Sequence, residues 1–206
     1  GAVSAGHELS EADLSKIEIS GVTHSDTQVE PGDLFIAIPG ANRHGAEFAT
    51  SAIRKGAIAV LTDQAGAAHV KGVPVLVVND PRQAAGLIAA LFYNEPMRDL
   101  ASIGITGTNG KTTVTTLLYQ IFEAANRDCG LIGTNETRIG KDAIDSSRTT
   151  PEATDLQALA ATMRERHMRH LVMEVSSHAV SLHRVQGAHF AFVGFTNLTQ
   201  DHLDFH

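Results

Sequence analysis

Ten residues in mid-chain, Gly104-Ile105-Thr106-Gly107-Thr108-Asn109-Gly110-Lys111-Thr112-Thr113, restrict this chain more than any other stretch. The apolar run from Leu100 to Ile105 that leads into them has the length and β-branched content of a buried strand. After them Val114, Leu117, Leu118, Ile121, Phe122 and Ala125 recur at helical spacing, which predicts a helix starting near Lys111. A strand, a glycine-rich turn and a helix N-terminus in that order build a phosphate cradle. Glycines let backbone N–H groups converge, the helix end adds partial positive charge, and a lysine reaches the outer phosphates. The hydroxyl after that lysine, on Thr112, is placed to ligate Mg²⁺, with Thr113 an adjacent candidate.

The residues on either side predict two α/β halves. In the first, Ile17 to Val22, Leu34 to Ile38, Ile58 to Leu61 and Val75 to Val78 read as strands, and residues 1 to about 16 as a loose polar start. Ala46, Ala49, Ala52 and Ile53 share a helical face that Gly56 ends, and Asp80-Pro81 caps and opens a further helix. The boundary falls near residues 94 to 99, giving an N-terminal domain of residues 1–95 and a central domain of residues 96–206. In the second half Cys129 to Thr134, His170 to Val175 and Phe190 to Phe195 read as strands. Asn135 to Ser147 reads as a hairpin or surface loop, and Thr150-Pro151-Glu152 as the start of a helix with Thr150 a candidate N-cap. The expected class is α/β: a small N-terminal α/β domain, then a truncated P-loop-type central domain whose sheet is mainly parallel. Ligands of such sheets gather beyond the carboxyl ends of the strands, where Glu174, Asn197 and the loop at 107–113 would all lie.

Composition narrows the partners. A formal charge of −7 over 206 residues, with 43% hydrophobic and 19% charged residues, argues against a nucleic-acid or anionic-membrane binder, which would need a broad basic surface. The single cysteine, Cys129, excludes an internal disulfide and suits a reducing compartment. No apolar run approaches membrane-spanning length, and Gly1-Ala2-Val3-Ser4-Ala5-Gly6 lacks the basic flank of a signal peptide, so a cytoplasmic location is expected.

Glu174 ends an otherwise apolar strand, where an unpaired carboxylate would be expensive to bury. Mg²⁺ held between it, a loop hydroxyl and ATP phosphates would resolve that cost; donors from Ser176, Ser177 or backbone N–H groups would do so too. Among the histidines His178, His183, His202 and His206 near the end, His202 is singled out by its place after a strand terminus, in the polar cluster from Asn197 to Asp204.

The spelling Gly107-Thr108-Asn109-Gly110-Lys111-Thr112-Thr113 resembles the nucleotide loop of the Mur ligases and of their folylpolyglutamate synthetase relatives. These enzymes form amide bonds through an acyl phosphate at the expense of ATP. Four other segments are similar to the tripeptide-forming branch of the Mur ligases, in the same order: Pro31 to Phe35, Thr149-Thr150-Pro151-Glu152, Glu174 to His178 with Arg184, and Phe195 to His206. The resemblance implies a ligase that adds the third residue, with meso-diaminopimelate favoured, to UDP-N-acetylmuramoyl-L-alanyl-D-glutamate in peptidoglycan synthesis. It implies ATP on Gly107, Thr108, Asn109, Gly110, Lys111, Thr112 and Thr113, and metal contacts at the loop hydroxyls of Thr112 or Thr113, Glu174 and His202. Lys111, Glu174 and His202 would form the catalytic set. The muramoyl dipeptide would lie near Thr149, Thr150, Ser176 and Arg184, and the uridine diphosphate end near Asp26, Asn42 and Arg43. An Asp-Ser-Arg triplet common in the family is replaced here by Ser25-Asp26-Thr27. Family members also continue past the segment ending at His206 into a domain for the incoming amino acid, so the chain is expected to be a fragment that does not turn over alone. A folylpolyglutamate synthetase-like ligase and a non-catalytic nucleotide-binding module remain open alternatives.

Overall fold

A computed structural model describes residues 2–4, 7–8, 15–146 and 148–200. The chain divides into two compact units, Gly1–Ile88 and Ala89–His206.

In the first unit the strands β1 (Ala2–Ser4), β2 (His7–Glu8), β3 (Gly21–Thr23), β4 (Asp33–Ile36), β5 (Ala59–Thr62) and β6 (Val75–Val77) form a sheet in the order β2-β1-β6-β5-β4-β3. Strands β3 to β6 run parallel, while β1 is antiparallel to β6 and to β2. The strand pairing at residues 2–4 and 7–8 corrects the expectation of a loose start: β1 takes up the backbone edge that β6 would otherwise leave open, a hydrogen-bonding gain that composition does not signal. Phe35, Val60 and Val75 pack with Ala46, Ala49 and Ala52 on one face of this sheet. The alanines belong to a 3₁₀ turn, Gly45–Phe48, and to α1 (Ala49–Lys55), and their small side chains let these elements lie close to the strands. A four-residue helix, α2 (Gln64–Ala67), was not foreseen; it is too short to carry a periodicity. Helix α3 (Pro81–Phe92) starts as expected, with Asp80 Oδ1 accepting from Arg82 N and Gln83 N at 2.9 and 3.1 Å.

In the second unit β7 (Ala101–Thr106), β8 (Cys129–Ile132), β9 (Glu136–Ile139), β10 (Asp142–Asp145), β11 (His170–Glu174) and β12 (Phe192–Phe195) are ordered β10-β9-β8-β11-β7-β12. The four strands β8, β11, β7 and β12 are parallel, and the β9–β10 hairpin extends them antiparallel. Helices α4 (Lys111–Ala124) and α5 (Ala153–Glu165) cover opposite faces. Leu171 and Met173 of β11 join Leu156, Ala160 and Met163 in one core cluster, whereas Val172 joins Tyr119, Cys129 and Leu131 in another beneath α4. This alternation aims the next residue on the Val172 face, Glu174, at the first turn of α4. Helix α5 begins at Ala153 with Glu152 at its N-cap, which moves the cap two residues on from Thr150. Among the described residues no helix is long and apolar enough to cross a membrane.

Burial, with a smaller push from the Glu123 carboxylate, raises the Cys129 thiol to about 12, and its Sγ donates to Gly130 O at 3.3 Å. Labelling of the native chain at pH 8 with a chromogenic disulfide reagent is therefore expected to proceed at the rate of unfolding, since only the thiolate attacks. Rapid stoichiometric labelling without denaturant would contradict this packing.

Candidate functional site

The sheet order brings four strand ends together in the second unit. The loop after β7, the turn after β8, the lead-in to α5 and the segment from the end of β11 to Arg184 surround a cavity of about 540 Å³, and the segment after β12 packs against the loop from outside. It is lined by Thr108 to Thr112, Thr134, Arg148, Thr149, Glu174, Ser176, His178 and Arg184.

The loop is held open before any ligand arrives. Lys111 Nζ donates to Gly107 O at 2.7 Å and Thr108 O at 2.9 Å, bending the loop around the ammonium and leaving its third proton for an incoming anion. Outside the loop, the segment after β12 acts as a strap. Thr108 N donates to Asn197 O at 2.9 Å and Asn109 N to Asn197 Oδ1 at 3.1 Å. Asn109 O accepts from Thr196 Oγ1 at 2.7 Å and from Asn197 Nδ2 at 2.9 Å, and Thr108 Oγ1 is bonded to Thr199 N and O. Gly107 makes the approach possible at φ 125°; a Cβ there would stand 2.2 Å from Thr196 Oγ1.

Glu174 is 1% exposed, and its carboxylate is satisfied by three donors. Thr112 Oγ1 donates to Oε2 at 2.9 Å, Thr134 N to Oε1 at 2.7 Å, and Thr134 Oγ1 to Oε2 at 3.2 Å. The donors are thus the loop hydroxyl and Thr134, two residues past the end of β8, and not Ser176 or Ser177; the Ser176 hydroxyl instead caps the short helix α6 (Ser177–Ser181) by accepting from Ala179 N at 3.1 Å. Thr112 is half-buried against the carboxylate, while Thr113 is exposed and does not line the cavity. A hydroxyl and a carboxylate oxygen side by side, next to a phosphate loop, are the hard oxygen donors that Mg²⁺ takes when substrate phosphates and water supply its remaining ligands.

Thr149, Ser176 and Arg184 lie in the same cavity. Thr150 is fully buried behind them, with Oγ1 donating to Glu174 O at 2.9 Å and accepting from Ser176 N at 3.2 Å, so it ties the α5 lead-in to the end of β11. Arg184 Nε is 3.1 Å from Glu152 Oε1, and its Nη1 donates to Thr150 O at 3.4 Å. Arg148 is ion-paired to the same Glu152 oxygen. His202 and His206 lie outside the described residues.

The first unit carries Asp26, Asn42 and Arg43 in loops that follow β3 and β4, neighbouring parallel strands, at their carboxyl ends. Asn42 is exposed; Arg43 bonds Glu47 Oε2 through Nε and Nη2 at 3.0 and 2.9 Å and lies 4.5 Å over the Phe48 ring. His44 Nδ1 accepts from Ala46 N, which leaves the ring proton on Nε2 to meet Asp63 Oδ1 at 3.1 Å. Burial works to raise the Asp63 carboxyl, but the Gly66 N–H and the His44 ring outweigh it and hold it below 3.8. The stability this adds is present above that value and lost as pH falls through the depressed one.

Thr134, Arg148 and Glu152 were not among the site residues expected from sequence, although Glu152 closes the segment Thr149-Thr150-Pro151-Glu152; Thr134 reaches Glu174 because β8 pairs with β11.

Two family models match the chain, the Mur ligase family catalytic domain over residues 18–93 and the Mur ligase middle domain over residues 105–206. The chain is 54% identical to the UDP-N-acetylmuramoyl-L-alanyl-D-glutamate--2,6-diaminopimelate ligase of Streptomyces avermitilis, over 92% of this chain and 38% of that protein. It is 48% identical to the UDP-N-acetylmuramyl-tripeptide synthetase of Leifsonia xyli, over 93% of this chain and 38% of that one. A solved UDP-N-acetylmuramoyl-L-alanyl-D-glutamate--2,6-diaminopimelate ligase superposes with a TM-score of 0.78 at 26% identity, covering 97% of this chain and 40% of its own. MurF from Acinetobacter baumannii shares the fold, with a TM-score of 0.60 at 19% identity over 90% of this chain and 37% of its own. The chain thus spans less than two fifths of the length of the curated relatives named here.

Proposed function

The chain belongs to the Mur ligase family, and from that membership and the cavity of its second unit we propose that it is part of an ATP-dependent ligase adding meso-diaminopimelate to UDP-N-acetylmuramoyl-L-alanyl-D-glutamate. The observation that carries this reading is the meeting, in one cavity, of a phosphate loop, a buried carboxylate beside the loop hydroxyl Thr112, and the basic side chain of Arg184.

Each part answers a physical demand of joining two polyanions. The γ-phosphate of ATP must come within bonding distance of the D-glutamate carboxylate, and both repel. Lys111 would reach the outer phosphates, and Thr112 with Glu174 would hold Mg²⁺, which would supply positive charge to the phosphates while the P–O bond to ADP breaks. A carboxylate oxygen of the substrate takes the phosphoryl group. The resulting acyl phosphate is attacked by the amine of the third residue, the C–O bond to phosphate breaks, and inorganic phosphate leaves. Arg184, with Thr149 and Ser176, would orient the acidic end of the dipeptide, a task suited to a guanidinium fork. His202 is retained as a proposed metal and catalytic residue.

The first unit, of residues 1–95 on the sequence reading, is assigned the uridine diphosphate end, with Asp26, Asn42 and Arg43 as candidate contacts. Arg43 would have to exchange its bonds to Glu47 for the ligand. The reaction is assigned to the cytoplasm, where its nucleotide substrates are made.

Calorimetric titration of the chain with UDP-N-acetylmuramoyl-L-alanyl-D-glutamate tests the reading. Saturable binding is expected, weakened about 10- to 100-fold by Arg184→Ala, as loss of a charge-assisted pair of about 1.5–3 kcal/mol requires. Binding of Mg-ATP without any of the nucleotide sugar would reduce the chain to a nucleotide module.

A further inference from the structure

We propose that Glu152 is a positioning residue for the acidic substrate: buried behind the cavity, it holds Arg184 by Nε so that the outer edge of the guanidinium meets the substrate carboxylate. The proposal rests on the reading of the cavity given above.

The geometry is that of a support. The Glu152 side chain is 9% exposed and does not line the cavity, whereas Arg184, at 14%, does. Glu152 Oε1 is ion-paired to Arg184 at 3.1 Å from Nε, the nitrogen nearest the stem, although the Nε–H does not point along that contact, and Thr150 O accepts from Nη1 at 3.4 Å. An ion pair at the stem and a hydrogen bond at one tip restrict how the planar fork can turn while it lines the cavity. A loose arginine would give up rotamer freedom on binding, a loss that anchoring takes in advance. Arg148 shares the same carboxylate oxygen from an exposed position at the cavity wall. Two guanidinium groups against one carboxylate leave a positive excess, suited to an anion.

Electrostatics and positioning predict opposite signs, which makes the proposal testable. Neutralising Glu152 raises the positive potential of the cavity, so if the carboxylate were only a counter-charge, Glu152→Gln would tighten an anionic ligand. If it positions Arg184, the same change weakens binding.

The experiment is titration of the chain with UDP-N-acetylmuramoyl-L-alanyl-D-glutamate, with Mg-ATP titrated in parallel, for wild type, Glu152→Gln, Glu152→Asp, Arg184→Ala and Arg184→Ala with Glu152→Gln. The expected result is about 10-fold weaker nucleotide-sugar binding in Glu152→Gln, a smaller loss in Glu152→Asp, and unchanged Mg-ATP binding. In the Arg184→Ala background the Gln substitution should cost nothing more, because the group it acts through is gone. A merely structural role would cost the same in both backgrounds and would weaken Mg-ATP as well. Tighter or unchanged nucleotide-sugar binding in Glu152→Gln overturns the proposal, as does an undiminished effect in the double variant. Should Glu152→Gln fail to fold, Glu152→Asp binding as tightly as wild type overturns it. Wild type that takes Mg-ATP but no nucleotide sugar removes the underlying reading, and the proposal with it.

Discussion

Glu174→Gln is expected to weaken Mg-ATP binding about 100-fold and to abolish the preference for Mg-ATP over metal-free ATP. The reason lies in the polarity of what surrounds the carboxylate. Thr112 Oγ1, Thr134 N and Thr134 Oγ1 all point protons at it, from 2.7 to 3.2 Å. A carboxylate accepts on both oxygens, but an amide offers one oxygen and one NH₂. One rotamer of the glutamine sets that NH₂ against the Thr134 N–H, in a position 1% exposed to solvent where an unsatisfied group costs about 1–3 kcal/mol; the other sets it against the Thr112 and Thr134 hydroxyls, which must turn to accept from it. The same change removes the one carboxylate that lines the cavity among the described residues, and with it the anionic oxygen that a hard cation prefers. Titrations with ATP in magnesium and in chelator separate the two effects. A variant that kept the wild-type magnesium dependence would take Glu174 out of the cation's surroundings.

Gly107→Ala is expected to eliminate measurable Mg-ATP binding and to lower the melting temperature of the chain by roughly 6–12 °C, the shift that about 3 kcal/mol produces in a protein of this size. Two costs coincide at this position. Its φ of 125° is one that L side chains rarely adopt, and a Cβ would lie 2.2 Å from Thr196 Oγ1 and 2.9 Å from Asn197 O. Thr196 cannot simply swing away, because its hydroxyl donates to Asn109 O at 2.7 Å and so helps hold the loop. Adding Thr196→Ala should recover only part of the loss, since the Asn197 backbone stays in place. Wild-type melting and nucleotide affinity in Gly107→Ala would mean that the loop and the strap after β12 separate at little cost.

Much of this was legible before any coordinates. The strand, loop and helix around Gly107 to Thr113 are a local arrangement, and residues that are neighbours in sequence carry all of its information: apolar spacing for the strand and for α4, glycines for the turn, lysine and threonine for the phosphates. The α/β class and the parallel order of the second sheet followed from the succession of strands and helices, because crossovers constrain what can follow what. Glu174 stood out as a carboxylate at the end of an apolar strand. The errors were local as well. Placing the cap at Thr150 was natural for a threonine before proline, but Thr150 instead spends its hydroxyl on Glu174 O and Ser176 N, partners 24 and 26 residues away.

By itself, then, the sequence determined the phosphate loop, the fold class and the Mur ligase family, since these are written in spacing and in motifs in register. Only the tertiary structure decided which groups satisfy Glu174, what straps the loop and what stands behind Arg184. Periodicity says that a strand exists and which face it buries, but not which strand lies beside it. Thr112 and Glu174 are 62 residues apart, and Thr108 and Thr199 are 91 apart. Their meeting depends on β11 and β12 flanking β7, an outcome of how the strands and helices of the second unit pack together, and one that no single segment encodes.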